Sequence, residues 1–422
     1  MPVVYPLHIC NMEYSPRTDM YRRRSGRRVD IHSLPPELLL SIFEQLDRPS
    51  MWSCLLTCSR WRHTSERVIY ASPRLSSAVT MKRFISVLEW KEHLRGAVKH
   101  LHIRGKADYS STKSTDWILD VPRCLAPLLP RIRSLTFENV ENVSFTRQDT
   151  EKTIWGDLER FSRVTELHVK NCRFEFAQDL RHLVFSFPSL TSLTLSHVRW
   201  GWQPTVDPSG WQPPRWQRPL PLQTLRLAYL PSVSEYQDAF TWFGNLNTVR
   251  ELELEQIPTK ALWVLSKYLT RLAESGGSLE SFTFCPLITP GCGYMENVPY
   301  LGHALELQKR LTELDLRIVS LQAMRWVPMV FDAARELPIA RVALEFTLDI
   351  DNAAKPSRAF IETNERLCQY WRRTLQRVTF VDHPTGNWVP DAHVPYILSS
   401  RCPSLVQRGI LDVKIGVRYE DF

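Results

Sequence analysis

Cys54 and Cys58 stand four residues apart with His63 close behind, a grouping that could serve a metal ion. Nothing supplies a fourth ligand, so small apolar thiols buried along a helix are the better reading. The cysteines, at 10, 54, 58, 124, 172, 285, 292, 368 and 402, lack paired CxxC spacing, which argues against a disulfide framework or a structural zinc. There is no Gly-rich phosphate loop, HExxH, GxSxG or paired-carboxylate signature, and a loop such as VDHPTG carries its His and Asp without any such context. A non-catalytic protein that uses no cofactor and no metal is expected. The residue groups that remain suit binding. The oddest is RWGWQPTVDPSGWQPPRWQRPLP, residues 199–221, where Trp200, Trp202, Trp211 and Trp216 stand among prolines that oppose regular structure. Such rings form a binding platform or pin a long loop to the flank of the fold, and the chemistry is the same for both.

The elements that carry these groups must come from 422 residues, too many for one small core, so several domains or growth by repetition are expected. Against 53 Lys plus Arg stand 45 Asp plus Glu, a formal charge of +8 that excludes an obligate polyanion binder but leaves an acidic partner open. No apolar run approaches the roughly 18 residues that span a bilayer, and MPVVYPLHICNMEYSPRTDM has no signal-peptide core. The expectation is a soluble intracellular protein, cytoplasmic, nuclear or both. Residues 1–28, with YRRRSGRR, read as a disordered basic tail: an import signal, a weak polyanion contact or simply a solvated arm.

From Val29 to about residue 75 the pattern is helical. In LPPELLLSIFEQL, residues 34–46, Leu38, Leu39, Ile42, Phe43 and Leu46 make one wide apolar stripe with Leu40 opposite. Asp47 and Pro49 restart the chain, and WSCLLTCSRWRHTSERVIY carries apolar residues at helical spacing. A module this small, with a stripe this wide, caps the remainder of the chain or docks on another protein.

Over 76–422 the period changes. An apolar-x-x-apolar-x-apolar segment recurs as VKHLHI (98–103), IRSLTF (132–137), VTELHV (164–169), LTSLTL (190–195), LQTLRL (222–227), VRELEL (249–254), LESFTF (279–284), LTELDL (311–316), IARVAL (339–344) and LQRVTF (375–380), with a weak last copy near LVQRGI (405–410). Each ends in the alternation of a strand with one buried face. Between them lie helical stretches such as EKTIWGDLERF, YQDAFTWFGNL, KALWVLSKYLTRLAE and SRAFIETNERLCQYWRRT. The pattern resembles the leucine-rich repeat family over roughly residues 95–415 and implies an irregular α/β solenoid: a curved parallel sheet with outer helices. The third residue after each segment, usually Asn or Cys in that family, is Cys172 in one copy but Val140, Val198, Leu230, Ile257, Leu287 and Val319 in others, so an apolar ladder and uneven curvature are expected.

LPPELLLSIFEQLDRPSMWSCLLTCSRWR, residues 34–62, resembles an F-box: Leu34, Pro35, Glu37, Leu38, Ile42, Phe43, Leu46, Asp47, Met51, Leu56, Cys58, Arg60 and Trp61 fall on that family's pattern without a gap. Ser50, Met51 and Thr57 replace the commonest residues Asp, Leu and Val. The resemblance implies docking on a small Skp-type linker subunit that joins a cullin–RING ubiquitin ligase of the SCF type. Leu34, Pro35, Leu38, Ile42, Phe43, Leu46 and Met51 are the expected contacts, with Trp61 mainly internal. The repeats would then hold a target protein for ubiquitination, a substrate-recognition adaptor acting by proximity.

In such a solenoid the polar positions inside each strand face a ligand. They include Glu166, His168 and Lys170, then Arg226, then Glu251, Glu253 and Glu255, then Asp315 and Arg317; Trp202, Trp211 and Trp216 join them as binding candidates. Three glutamates on one strand repel unless solvated or met by cations, so they read as a solvated face or as a seat for a basic segment. Two other readings remain open: a leucine-rich scaffold with no ligase coupling, and nucleic-acid binding through the arginine tail and the tryptophans.

Overall fold

The computed structural model describes residues 34–105, 117–143, 157–201, 220–243, 248–287, 298–317, 321–346, 358–382 and 398–415. The basic tail, Trp202, Trp211, Trp216 and Val319 lie outside them. The chain divides into two compact units, Met1–Val68 and Ile69–Phe422, so the division falls inside the segment 29–75 expected as one module.

In the first unit Pro35 is extended (φ −54°, ψ 146°) and Pro36 opens α1 (Pro36–Glu44), where a missing amide costs nothing and Glu37 meets the helix dipole. Asp47 caps α2 (Arg48–Leu55): its Oδ1 accepts the Ser50 amide at 3.1 Å. Hydrogen bonds from Ser50 hold the Asp47 carboxyl below the usual range. Cys58 starts α3 (Ser59–Ile69). Its carbonyl takes the Arg62 amide at 2.8 Å and its Sγ lies 3.5 Å from the Trp61 amide, so this thiol serves as a helix cap rather than as helix filling. Cys54 is buried as expected.

The second unit is mixed α/β. Its strands are β1 (Arg74–Leu75), β2 (His100–Arg104), β3 (Ser134–Glu138), β4 (Glu141–Val143), β5 (Glu166–Lys170), β6 (Arg173–Phe174), β7 (Ser192–Ser196), β8 (Arg199–Trp200), β9 (Thr224–Ala228), β10 (Glu251–Pro258), β11 (Ser281–Leu287), β12 (Glu313–Arg317), β13 (Arg341–Phe346), β14 (Arg377–Asp382) and β15 (Leu411–Ile415). One 12-stranded sheet runs β1-β2-β3-β5-β7-β9-β10-β11-β12-β13-β14-β15, with every pair parallel. In each segment from VKHLHI to LQRVTF the strand begins at the third residue, and the two apolar residues of the alternation, from Leu101 and Ile103 to Val378 and Phe380, are buried.

Helices pack behind them. In Leu262–Glu274 the residues Leu262, Leu265, Leu269 and Leu272 are buried as the spacing predicts, joined by Val264 and Tyr268. Gln308 is wholly buried among apolar neighbours because its amide is satisfied: Nε2 donates to the Leu269 carbonyl at 2.9 Å and Oε1 accepts from the Leu279 amide at 3.2 Å.

Three expectations are corrected. LVQRGI is not a strand: Leu405 lies in the helix Pro403–Gln407, and β15 begins at Leu411, opposite Val378. Adjacent leucine and valine at 405 and 406 suit a helix, whereas Leu411, Val413 and Ile415 alternate. Arg199–Trp200 belong to a small second sheet, β4-β6-β8, so the Trp/Pro-rich segment starts as a strand. Of the expected apolar ladder, Val140, Val198, Leu230 and Ile257 are buried but Leu287 is exposed.

The turn that leaves the strands has a feature that the periodicity did not reveal. Asn139, Asn171, His197, Tyr229 and Gln256, each immediately before a ladder residue, have positive φ of 51–55°. The amides of Asn139, Asn171, His197 and Tyr229 donate to the carbonyls of Lys170, Ser196, Ala228 and Glu255, the last residues of the next strands or near them. A left-handed residue turns the backbone sharply enough to offer that bond, at a cost of about 1 kcal/mol for a non-glycine. Cys172 adds a side-chain contact, its single S–H shared between the carbonyls of Lys170 at 3.2 Å and Phe137 at 3.5 Å.

Candidate functional site

Helices α1 and α2 are short and carry more apolar residues than their unit buries. Leu39, Phe43, Met51 and Cys54 are inside, whereas Leu38 is 51% exposed, Ile42 44%, Trp52 56% and Leu56 82%. Leu38 and Ile42 lie one turn apart on α1, and Trp52 and Leu56 one turn apart at α2. Phe43 is buried against Trp61, ring centroids 5.3 Å apart and edge to face. The Arg60 guanidinium donates to the Leu34 carbonyl, tying the segment before α1 to α3. Residues 31–75 match the F-box-like family model. No curated protein matches the chain.

The F-box-like segment sorts the expected docking residues into two sets. Leu38, Ile42 and Pro35 are exposed, and Leu34 and Leu46 are half-buried. Phe43 and Met51 are buried in the core of the unit, since three short helices have little else to bury. Trp52 and Leu56 are exposed apolar residues that the reading of contacts omitted, although their one-turn spacing was visible in the sequence.

On the sheet, the residues between the buried positions form rungs across successive strands. Arg226 faces Glu253 at 2.9 Å, and the Thr224 hydroxyl donates to Glu251 at 3.0 Å. The Arg317 guanidinium contacts four carboxylates: Glu253 at 2.9 Å, Asp315 and Glu345 at 3.4 Å each, and Glu255. The three glutamates of β10 are therefore met by cations and a hydroxyl of this chain, and Glu253, Glu255, Asp315 and Arg317 are partners of one another rather than free contact groups.

Four carboxylates around one guanidinium leave excess negative charge in a poorly hydrated place. Burial and then Glu345 push the Asp315 carboxyl up to about 7 despite Arg317. Burial likewise raises Glu255. Burial opposes the charge of Arg317, but Asp315 and the other acids hold it more firmly protonated than usual. Glu345 is a member of this network that strand periodicity alone did not single out.

Toward the other end of the sheet the face is rich in histidine. His102 Nε2 lies 2.6 Å from Glu138 Oε2, and Nδ1 accepts from Arg74 Nε at 3.0 Å, so Nδ1 carries no proton. Burial, then Arg74, lowers its pKa. His168 is lowered by burial and by Lys170, with Glu166 4.0 Å away. Among the tryptophans of 199–221, Trp200 is buried, meets the Trp242 ring at 5.4 Å between centroids in a tilted arrangement and donates Nε1–H to Asp238 at 3.1 Å, so this ring pins its segment to the fold.

Proposed function

We propose that this chain is a substrate-recognition adaptor of an SCF-type cullin–RING ubiquitin ligase. F-box domains typically bind Skp-type linker subunits in such complexes, and F-box proteins are typically non-catalytic adaptors. The observation that carries the reading is the exposure of Leu38 and Ile42, with Trp52 and Leu56, inside the F-box-like segment. Exposed apolar pairs one turn apart suit insertion into a groove of a partner. The parallel strand–helix array is read as an irregular, curved leucine-rich-repeat solenoid whose polar strand face and strand ends hold the target protein. It would act by proximity, placing target lysines within reach of the ligase.

The test is co-purification of the full chain with the Skp-type linker. Wild type should recover it, and L38D/I42D should lose it while melting unchanged; equal recovery by both would falsify the docking assignment. A leucine-rich scaffold with no ligase coupling is the alternative, and it predicts no recovery by either form.

A further inference from the structure

At the edge where β3 and β5 begin, a cleft of about 560 Å³ is lined by Arg131, Arg133, Arg163 and Thr165. Arg131 and Arg133 belong to the lead-in of β3, and Arg163 and Thr165 to that of β5. The Arg133 carbonyl accepts the amides of Thr165 at 2.8 Å and Glu166 at 3.0 Å, which fixes the two lead-ins side by side. All three arginines are exposed. Several arginines in or just before strands of the long sheet have carboxylates: Arg226 has Glu253 and Arg250 has Glu280, at 2.9 and 3.3 Å, while Arg341 pairs with Glu313 and Arg377 with Asp412. Among the described residues, none of the three cleft arginines makes an ion pair.

Three like charges converging without a counter-charge repel, and the arrangement becomes favourable when an anion enters. The guanidinium fork matches a carboxylate or a phosphate group, two donors to two oxygens. Among the described lining residues there is no aromatic ring, hence no platform for a stacked base. The volume suits a few side chains of an extended segment rather than a folded domain.

We infer that this cleft binds an acidic peptide segment, its anions supplied by Asp and Glu or by phosphorylated side chains. That the segment belongs to the protein to be ubiquitinated rests on the adaptor reading; the anion site itself does not.

Fluorescence anisotropy on the full chain tests it with three labelled probes of equal net charge: an oligoglutamate peptide, a phosphoserine peptide and an oligothymidylate. At least one peptide should bind more tightly than the oligothymidylate, and more weakly as salt rises. R131Q/R133Q/R163Q should weaken that binding by about tenfold or more with the melting temperature unchanged, and R250Q, on an arginine already paired, should leave it as it is. The better peptide identifies the source of the anion. Peptide binding undiminished in the triple variant, no binding of either peptide, or tightest binding of the oligothymidylate overturns the proposal. The triple variant should still recover the Skp-type linker; failure of wild type to recover it would sink the adaptor reading and leave the anisotropy result standing.

Discussion

Ile42 and Phe43 are neighbours on α1, yet Ile42 is substantially exposed and Phe43 is 2% exposed beneath Trp61. Their substitutions should separate accordingly. Phe43→Ala should cost about 3 kcal/mol or more of stability, read from denaturant midpoints, because it opens a cavity in a small core. Ile42→Asp should leave the midpoint almost unchanged and remove linker capture. A stripe covering both residues was legible from the spacing, but a stripe so wide does not say which edge is core, and only the packing of α3 decides it.

Asp315 offers a second prediction at the same scale. Its folded pKa near 7 lies above its ordinary value of 3.8, so the folded state binds a proton that the unfolded state releases between those values. Its contribution to stability is present below about pH 4 and is lost as the pH rises through about 7. Measured by chemical denaturation, D315N should therefore gain on wild type between pH 4 and pH 7, with the difference level above pH 8. A difference that is flat across the whole range would refute the assignment. Glu253, Glu255, Asp315 and Arg317 were legible in the sequence as residues, but not as a network, because their meeting depends on the register from β10 through β13.

At the scale of the element, the left-handed residues set the turns. Gln256 has φ 51° inside β10, where the register with β11 shifts between Glu255 and Ile257. Gln256→Gly should stabilise the chain by about 0.5–1 kcal/mol and Gln256→Val should destabilise it, since a β-branched side chain tolerates positive φ worst. A urea titration in which the two variants match would refute this account of the turn. His197 and Tyr229, neighbours in the same series, stack at 4.2 Å between ring centroids, so their exposed rings recover part of the backbone cost.

The strands of this series were legible because one buried face writes an alternation into every copy. The turn was not, because Tyr229 and Gln256 are residue types that do not advertise left-handed backbone. The two-residue strands β6 and β8 are too short to carry a period at all.

At the scale of the whole molecule, the backbone ladder of the long sheet joins each strand only to those beside it, from β1 to β15. Damage should therefore spread by neighbourhood. Leu316→Ala, in the wholly buried row of β12, should raise amide hydrogen exchange in β10 to β14 well above any change in β2 to β5. A uniform rise over the sheet would mean that the array opens as one unit. The parallel α/β order of this unit could be read from the alternation of strand and helix periods. The charge distribution over its face could not, since it depends on which rungs align.

The amides of Asn139, Asn171, His197 and Tyr229 all reach forward, to a carbonyl on the following strand of the long sheet. That gives the array a direction in time as well as in space. A ribosome releases the N-terminal strands first, and each of these amides must wait, hydrated, until roughly another thirty residues have emerged. Every newly made turn is finished by its successor, so during synthesis the growing end of the sheet is always its least complete part.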